Sequence, residues 1–258
     1  MFSVFIQQRL TKLINSHPST EKWHLFKDKL REKTVIAQLG CPTARLYKVF
    51  ETPDELDLTF LPSSFVIKLT FQSRGRGIVL IKDGVDLRTQ QPLDIEEIKQ
   101  YLKLHLLPSG TSVTHQKVMV EELLEAEIAD SPLLDVKLFY FSGELLFLQI
   151  VDSSTRPENR VYPRFHYSPM WKRLPIHTQE APLDQHVQKP QCLPDIIQWG
   201  NRIATTFFPN TFIRLDFYPT NKGVVFGETT LTPHFECTPS TDLWLGKILN
   251  EKKNKIIF

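Results

Sequence analysis

Phe212-Ile213-Arg214-Leu215-Asp216-Phe217-Tyr218-Pro219-Thr220-Asn221-Lys222-Gly223-Val224-Val225-Phe226-Gly227-Glu228-Thr229-Thr230 contains two strand-like runs around a turn. The runs are rich in β-branched and aromatic residues, and Asn221-Lys222-Gly223 carries turn chemistry. A three-residue loop with Gly223 in the left-handed region predicts Asp216 directly opposite Glu228, with Cβ atoms ~5 Å apart. Alternation with period two then places Arg214, Tyr218, Phe226 and Thr230 on that same face. Two carboxylates this close repel unless something compensates. A hard cation compensates well, because Mg²⁺ takes one or two carboxylates along with phosphate oxygens and water. Arg214 neutralising Asp216 while Glu228 faces water satisfies the same pattern, and the hairpin alone leaves both arrangements open.

Working outward, Asp135 to Phe141 and Leu145 to Val151 flank Ser142-Gly143 and form a second predicted hairpin. Lys137 shares a strand face there with Asp135 and Phe139. A lysine in a strand interior rarely lacks a partner, so Lys137 either pairs with an acidic neighbour or bridges phosphates. Phe65-Val66-Ile67-Lys68-Leu69 and Gly77-Ile78-Val79-Leu80-Ile81 flank Ser73-Arg74-Gly75-Arg76-Gly77, which predicts an antiparallel pair with a glycine-containing connection. Lys68 closes its strand beside that loop. Charge plus backbone N–H groups can hold phosphates there, although the loop by itself reads first as a plain arginine-bearing surface turn. The loop has neither the Walker A spacing nor the helix that must follow a dinucleotide fingerprint.

Helices are predicted over Asp28–Leu39, ended by Gly40 and Pro42, and along the stripe Ile95, Ile98, Leu102, Leu106 with Asp94 as N-cap. Two more fall over Asp195–Thr205 and Asp242–Asn250. Lys29 opens the first of these helices, where a solvated face is its plain role. Val118-Met119-Val120 is a short strand entering the acidic run Glu121 to Glu127. Helices mixed with mostly antiparallel hairpins make the fold class α+β.

The long Pro-rich stretch from about Ser153 to Pro194 lacks a regular pattern, and such loops are usually functional or mobile. Arg156, Arg160 and Arg164 recur there every four residues. Their guanidinium forks suit a substrate anion, and a solvated basic loop fits as well.

Over 258 residues, 41% hydrophobic and 23% charged content is that of a globular enzyme. A net charge of +2 gives no electrostatic case for nucleic acid or an anionic membrane. Cys41, Cys192 and Cys237 lack CxxC spacing and suit reduced thiols in a cytoplasmic protein. No run approaches the ~20 apolar residues of a membrane span. Phe2, Phe5 or Ile6, Leu10, Leu13 and Ile14 fall at helical spacing and predict a packed amphipathic helix, with a membrane-surface anchor as the alternative.

Order and spacing together resemble the ATP-grasp superfamily. Asp28-Lys29-Leu30-Arg31-Glu32-Lys33 with Leu39-Gly40-Cys41-Pro42-Thr43 is similar to its opening helix and turn, and Lys68 with Ser73–Gly77 to its lid strand and loop. Val118–Glu125 is similar to its adenine hinge. More narrowly, Asp135-Val136-Lys137, Trp171-Lys172-Arg173-Leu174-Pro175, Arg214-Leu215-Asp216-Phe217-Tyr218 and Phe226-Gly227-Glu228-Thr229-Thr230 resemble the TupA-like group, associated with teichuronopeptide and polysaccharide biosynthesis.

The resemblance implies two mostly antiparallel α+β subdomains clasping a nucleotide. It suggests a reduced N-terminal segment over 1–60, a lid over 61–122 and a metal-bearing subdomain over 123–258. It implies ATP and Mg²⁺ as cofactors. Lys29, Lys68, Ser73, Gly75 and Lys137 would hold phosphates, and Glu121, Leu123 and Glu125 or Glu127 the base and ribose. Asp216, Glu228 and Thr230 would hold the metal. Thr230 replaces the group's usual Asn, and Arg74 and Arg76 interrupt its usual small-residue loop. The implied activity is ligation of a carboxylate to an amine through an acylphosphate, with Arg214 and Lys137 at the reaction and Arg156, Arg160 and Arg164 on the substrate. The acceptor would be a peptide, a glycan or a small acid. A hydroxyl kinase and a degenerate ATP-binding regulator are the alternatives.

Overall fold

Alternating apolar residues build two separate sheets. The computed structural model describes residues 25–72, 75–108, 116–152, 163–174, 176, 187–231, 233, 243 and 245–247. The predicted N-terminal amphipathic helix, Ser73, Arg74, Arg156, Arg160 and Cys237 lie outside them.

One compact unit is His24–Leu124. Its sheet has the order β1-β6-β2-β3-β4-β5 and every pairing is antiparallel. The strands are β1 (Leu46–Phe50), β2 (Phe65–Leu69), β3 (Ile78–Lys82), β4 (Val85–Asp86), β5 (Gln91–Pro92) and β6 (Val118–Glu122). The predicted β2–β3 pair is present, joined through Gly75 to Gly77. Helix α1 (Lys29–Gln38) begins at Asp28, whose carboxylate accepts from the Leu30 and Arg31 amides. Helix α2 (Ile95–Leu104) is capped the same way by Asp94. Each cap satisfies amides that would otherwise lack partners in the first turn. Ile98 and Leu102 of α2 bury against Phe65, Ile67, Leu69, Val79, Val118 and Val120. That packing consumes one sheet face and leaves Lys68, Met119 and Glu121 on the other.

The second unit takes in Glu125–Phe258. Its five-stranded antiparallel sheet has the order β11-β10-β7-β8-β9. The strands are β7 (Leu134–Phe141), β8 (Glu144–Asp152), β9 (Arg164–Tyr167), β10 (Phe212–Thr220) and β11 (Gly223–Thr230). Helix α3 (Leu193–Phe207) packs on one face. A Cβ on Gly200 of α3 would come within 2.5 Å of Leu138 Cδ1 and Tyr140 Oη, so glycine permits that close approach. Phe139, Phe141, Phe147 and Phe212 fill the other face together with Ile176 and Leu245, and the Phe139 and Phe147 rings stack at 4.5 Å. Leu243 and Leu245–Lys247 are helical, within the closing helix expected over Asp242–Asn250.

Two expectations change. Arg164 does not lie in loop: β9 pairs with β8, and Arg164 lies opposite Val151. The short Arg-Phe-His-Tyr run is too brief to stand out by periodicity, and its partner strand decides its state. Tyr167 is buried there and stacks on Trp171 with centroids 4.1 Å apart.

The second change concerns the β10–β11 turn, which has two residues between the paired Thr220 and Gly223, not three. Asp216 still faces Glu228, because a bulge at Gly227 restores the register between the Phe217–Phe226 and Asp216–Glu228 pairs. A Cβ on Gly227 would meet Tyr218 Cε2 at 2.8 Å and the Asp216 carbonyl oxygen at 3.0 Å, so the bulge requires glycine. The same bulge removes Phe226 from the carboxylate face. Its ring instead meets Phe217 edge-on at 5.5 Å on the opposite side.

Candidate active site

Each unit gathers charge on one sheet face. In the His24–Leu124 unit, Glu121 of β6 is the centre, with its side chain 5% exposed. Its carboxylate bonds Lys68 on the adjacent strand β2 and, at 2.6 Å, Lys33 reaching over from α1. Lys33 also donates to the Ala44 carbonyl at 2.5 Å. Burial lowers the Lys33 pKa against the pull of Glu121. Burial also opposes the ionisation of Glu121, yet the two ammonium groups outweigh it and hold the carboxyl below its ordinary range. The result is a fixed anion between two cations, with net positive charge.

Lys29, one turn before Lys33, donates to the Gln72 carbonyl at 2.6 Å where β2 gives way to the loop. Gly75 lies in that loop with φ +71° and open space around it. Leu123 follows β6 and is half-buried.

Glu125 and Glu127 belong to the second unit. The Glu125 carboxylate accepts from Asn221 Nδ2 at 2.6 Å, beside the β10–β11 turn. Glu127 accepts from the backbone amides of Gln191 and Cys192, at 2.7 and 2.8 Å, and so anchors the chain just before α3. Burial, with Glu127 next, pushes the half-buried Cys192 thiol up to about 12.

The five-stranded sheet carries the denser cluster. One rung runs Glu228, Asp216, Lys137, Gln149, His166 across all five strands. Asp216 is 2% exposed. It accepts from Arg214 Nε at 2.6 Å and Nη2 at 2.7 Å, a two-pronged bond, and from Lys137 Nζ at 2.6 Å. Lys137 bonds Asp135 as well, and Arg214 stands 3.5 Å from Glu228. Burial disfavours the charged Asp216, but Lys137 and Arg214 prevail and depress its pKa. Burial likewise opposes the charge on Lys137, and Asp135 with Asp216 keeps it protonated. Burial raises the Asp135 pKa against the pull of Lys137, and the neighbouring Asp216 carboxylate adds to the rise. Glu228 remains about one-third exposed, and Thr230 ends the same face opposite Arg214.

At the far end of the rung, Gln149 bonds His166 Nε2 at 2.8 Å. His166 is fully buried, which pushes its pKa down to about 3, Arg173 and Arg164 adding to the effect. The imidazole is therefore neutral.

The structure thus brings Asp216, Glu228, Arg214, Lys137 and Thr230 together on one face, and Lys68 with Glu121 on another. Lys33 carries no signal of its own in the sequence, whereas Asp135 is the acidic neighbour the sequence offers Lys137. Lys33 is one helical turn from Lys29, and Asp135 shares the face of Lys137. Asp216 and Glu228 are opposed carboxylates with oxygens of the kind a hard divalent cation takes, and Arg214 and Lys137 stand beside them. Among the described residues no three His, Cys, Asp or Glu side chains form a ready cation cage.

Residues 8–250 match the family model for TupA-like ATP-grasp proteins. Among solved structures, the D-alanine–D-alanine ligase of Bacillus anthracis complexed with ATP superposes with a TM-score of 0.53 at 11% identity, over 87% of this chain and 62% of that one. An ADP complex of N5-carboxyaminoimidazole ribonucleotide synthetase gives 0.52 at 13% identity, over 82% and 46%. The D-alanine–D-alanine ligase of Helicobacter pylori gives 0.50 at 16%, over 81% and 55%. At such identities the likeness is one of fold. The chain spans less than two thirds of the length of these relatives. No curated protein matches the sequence significantly.

Proposed function

This chain belongs to the TupA-like ATP-grasp family and has the α+β ATP-grasp fold, and on that premise we propose that it joins a carboxylate to an amine at the expense of ATP. The observation that carries the proposal is the pair Asp216–Glu228 with Lys137 and Arg214 around it. Opposed carboxylates of this kind suit Mg²⁺, and the flanking cations suit phosphate oxygens. Thr230 adds a neutral oxygen. When bound, the metal would supply charge stabilisation at the γ-phosphoryl group.

The chain's own residues do the rest. In one unit Lys68, Lys29 and the Gly75 loop carry charge and amides suited to phosphate oxygens, and in the other Lys137 carries charge suited to them. Glu121 keeps Lys68 and Lys33 in fixed positions, and with the Leu123 backbone it meets the adenine. Glu125 takes the ribose. Arg214 orients the groups that react at the carboxylate pair, and Arg164, with Arg156 and Arg160, receives the substrate anion.

A carboxylate oxygen of the substrate attacks the γ-phosphorus, the bridging P–O bond breaks, and ADP leaves with its electron pair. The amine then attacks the acyl carbon, the C–O bond to phosphate breaks, and the nitrogen gives up a proton. The acceptor is a peptide, a glycan or a small acid. Nucleic acid has no part in this reaction, and the proposed setting is the cytoplasm. Among the described residues no helix is long and apolar enough to cross a membrane.

Thermal unfolding with and without Mg²⁺–ATP tests the nucleotide site. A ligand at ~100 times its Kd stabilises by about 2.7 kcal/mol. Wild type should show that shift, and Glu228→Gln, at a position about one-third exposed, should lose most of it while melting normally without ligand. A wild type that does not shift would remove the basis for the proposal. Product analysis with carboxylate and amine libraries separates the chemistries. Amide and ADP support ligation, whereas a phosphorylated hydroxyl would replace the ligase by a kinase.

A further inference from the structure

Lys137 is held twice, and only one of its holders competes for a cation. Its ammonium bonds Asp135 Oδ2 and Asp216 Oδ2. Both oxygens of Asp216 are also held by Arg214. Asp135 differs, because its Oδ1 is buried without a hydrogen-bond partner. An idle buried carboxylate oxygen is costly unless some state of the protein uses it.

The reading of Asp216 as a metal ligand, on which this inference rests, supplies that state. A cation at Asp216 takes that acceptor away from Lys137. Lys137 is then left with Asp135, two residues away on the same strand face. An ammonium has three N–H donors, and Asp135 has one oxygen to spare. We propose that Asp135 is a positioning residue that retains Lys137 when Asp216 turns to the cation, its idle Oδ1 accepting the bond that Asp216 gives up. The remaining N–H of Lys137 is thereby aimed at the phosphate and does not swing away with its long stem. Asp135 touches no reacting atom in this role and acts through Lys137.

The distinguishing feature is dependence on Mg²⁺. Calorimetric titration of wild type, Asp135→Asn, Lys137→Met and the double variant with ADP and a non-hydrolysable ATP analogue is run with Mg²⁺ and again with EDTA. With Mg²⁺, Asp135→Asn should weaken binding about tenfold, the worth of one charge-assisted hydrogen bond. With EDTA, where Asp216 still holds Lys137, the loss should stay under ~3-fold. In the Lys137→Met background the Asn change should add nothing, and Asp135→Glu should restore most of the affinity. Equal losses with and without Mg²⁺, or losses that multiply in the double variant, would mean a packing role and overturn the proposal. If Asp135→Asn does not fold, Asp135→Ser is read by the same comparison. A wild type that binds no Mg²⁺–nucleotide would instead defeat the reading of the site itself.

Discussion

Replacing Glu121 by glutamine tests whether the buried triad in the first unit is a single charged object. The change keeps side-chain volume and deletes one negative charge. Lys33, whose side chain is 16% exposed, would exchange its 2.6 Å ion pair for at most a neutral amide oxygen beside the Ala44 carbonyl. Lys68, at 25% exposed, can turn partly to water. Removing one partner of a buried ion pair costs ~3–5 kcal/mol, and the escape open to Lys68 places this case near the lower edge, about 3 kcal/mol. At a denaturant slope of ~2 kcal/mol per M, the urea midpoint should fall by about 1.5 M.

The assay is urea unfolding of wild type and Glu121→Gln, followed by circular dichroism. Replacing the whole buried part with apolar groups is the control. Lys33→Met combined with Glu121→Leu should recover most of the loss, because the more buried cation leaves with its partner and Lys68 can turn to water. A Glu121→Gln midpoint within ~0.3 M of wild type would refute the reasoning, since it would mean that solvent already screens the triad.

Protonation of His166 should show in the pH dependence of stability. The folded imidazole stays neutral down to about pH 3, whereas the ordinary value is 6.5. Below ~6.5 the unfolded chain binds the extra proton, so stability falls with pH by ~1.4 kcal/mol per unit, about 2 kcal/mol between pH 6.5 and 5. His166→Gln should flatten that part of the curve, and an unchanged slope would assign the titration elsewhere. Gly227→Ala puts a methyl group against the Asp216 carbonyl and the Tyr218 ring, and should cost ~1–3 kcal/mol with loss of the Asp216–Glu228 alignment. An alanine variant as stable as wild type, with its Mg²⁺–ATP shift intact, would show that the bulge accommodates a side chain. Lys68→Ala should mainly weaken nucleotide affinity, about tenfold for a lost charge contact; unchanged binding would return Lys68 to a purely structural role.

Local chemistry was legible in the chain itself. Asp28 and Asp94 cap helices because a short carboxylate can reach amides two and three residues ahead, a relation contained within four residues. The β2–β3, β7–β8 and β10–β11 hairpins follow from period-two runs around turn residues. The same pattern placed Asp216 with Arg214, and Asp135 with Lys137, because same-face neighbours at i and i+2 need no knowledge of the rest of the fold.

What required the tertiary structure is pairing between distant segments. Lys33 and Glu121 are 88 residues apart, and no periodicity in either segment names the other. Whether a turn has two residues or three, and whether a bulge at Gly227 repairs the register, depends on packing of the aromatic faces behind the hairpin. Phe226 changes sides for that reason. Arg164-Phe165-His166-Tyr167 is a strand only because β8 offers an unpaired edge, and Gln149 and His166 join the charged rung only once five strands are in register. Short-range hydrogen bonds and alternation are properties of a few adjacent residues. Register and buried charge pairing are properties of the whole sheet, and their energies exist only after it has assembled.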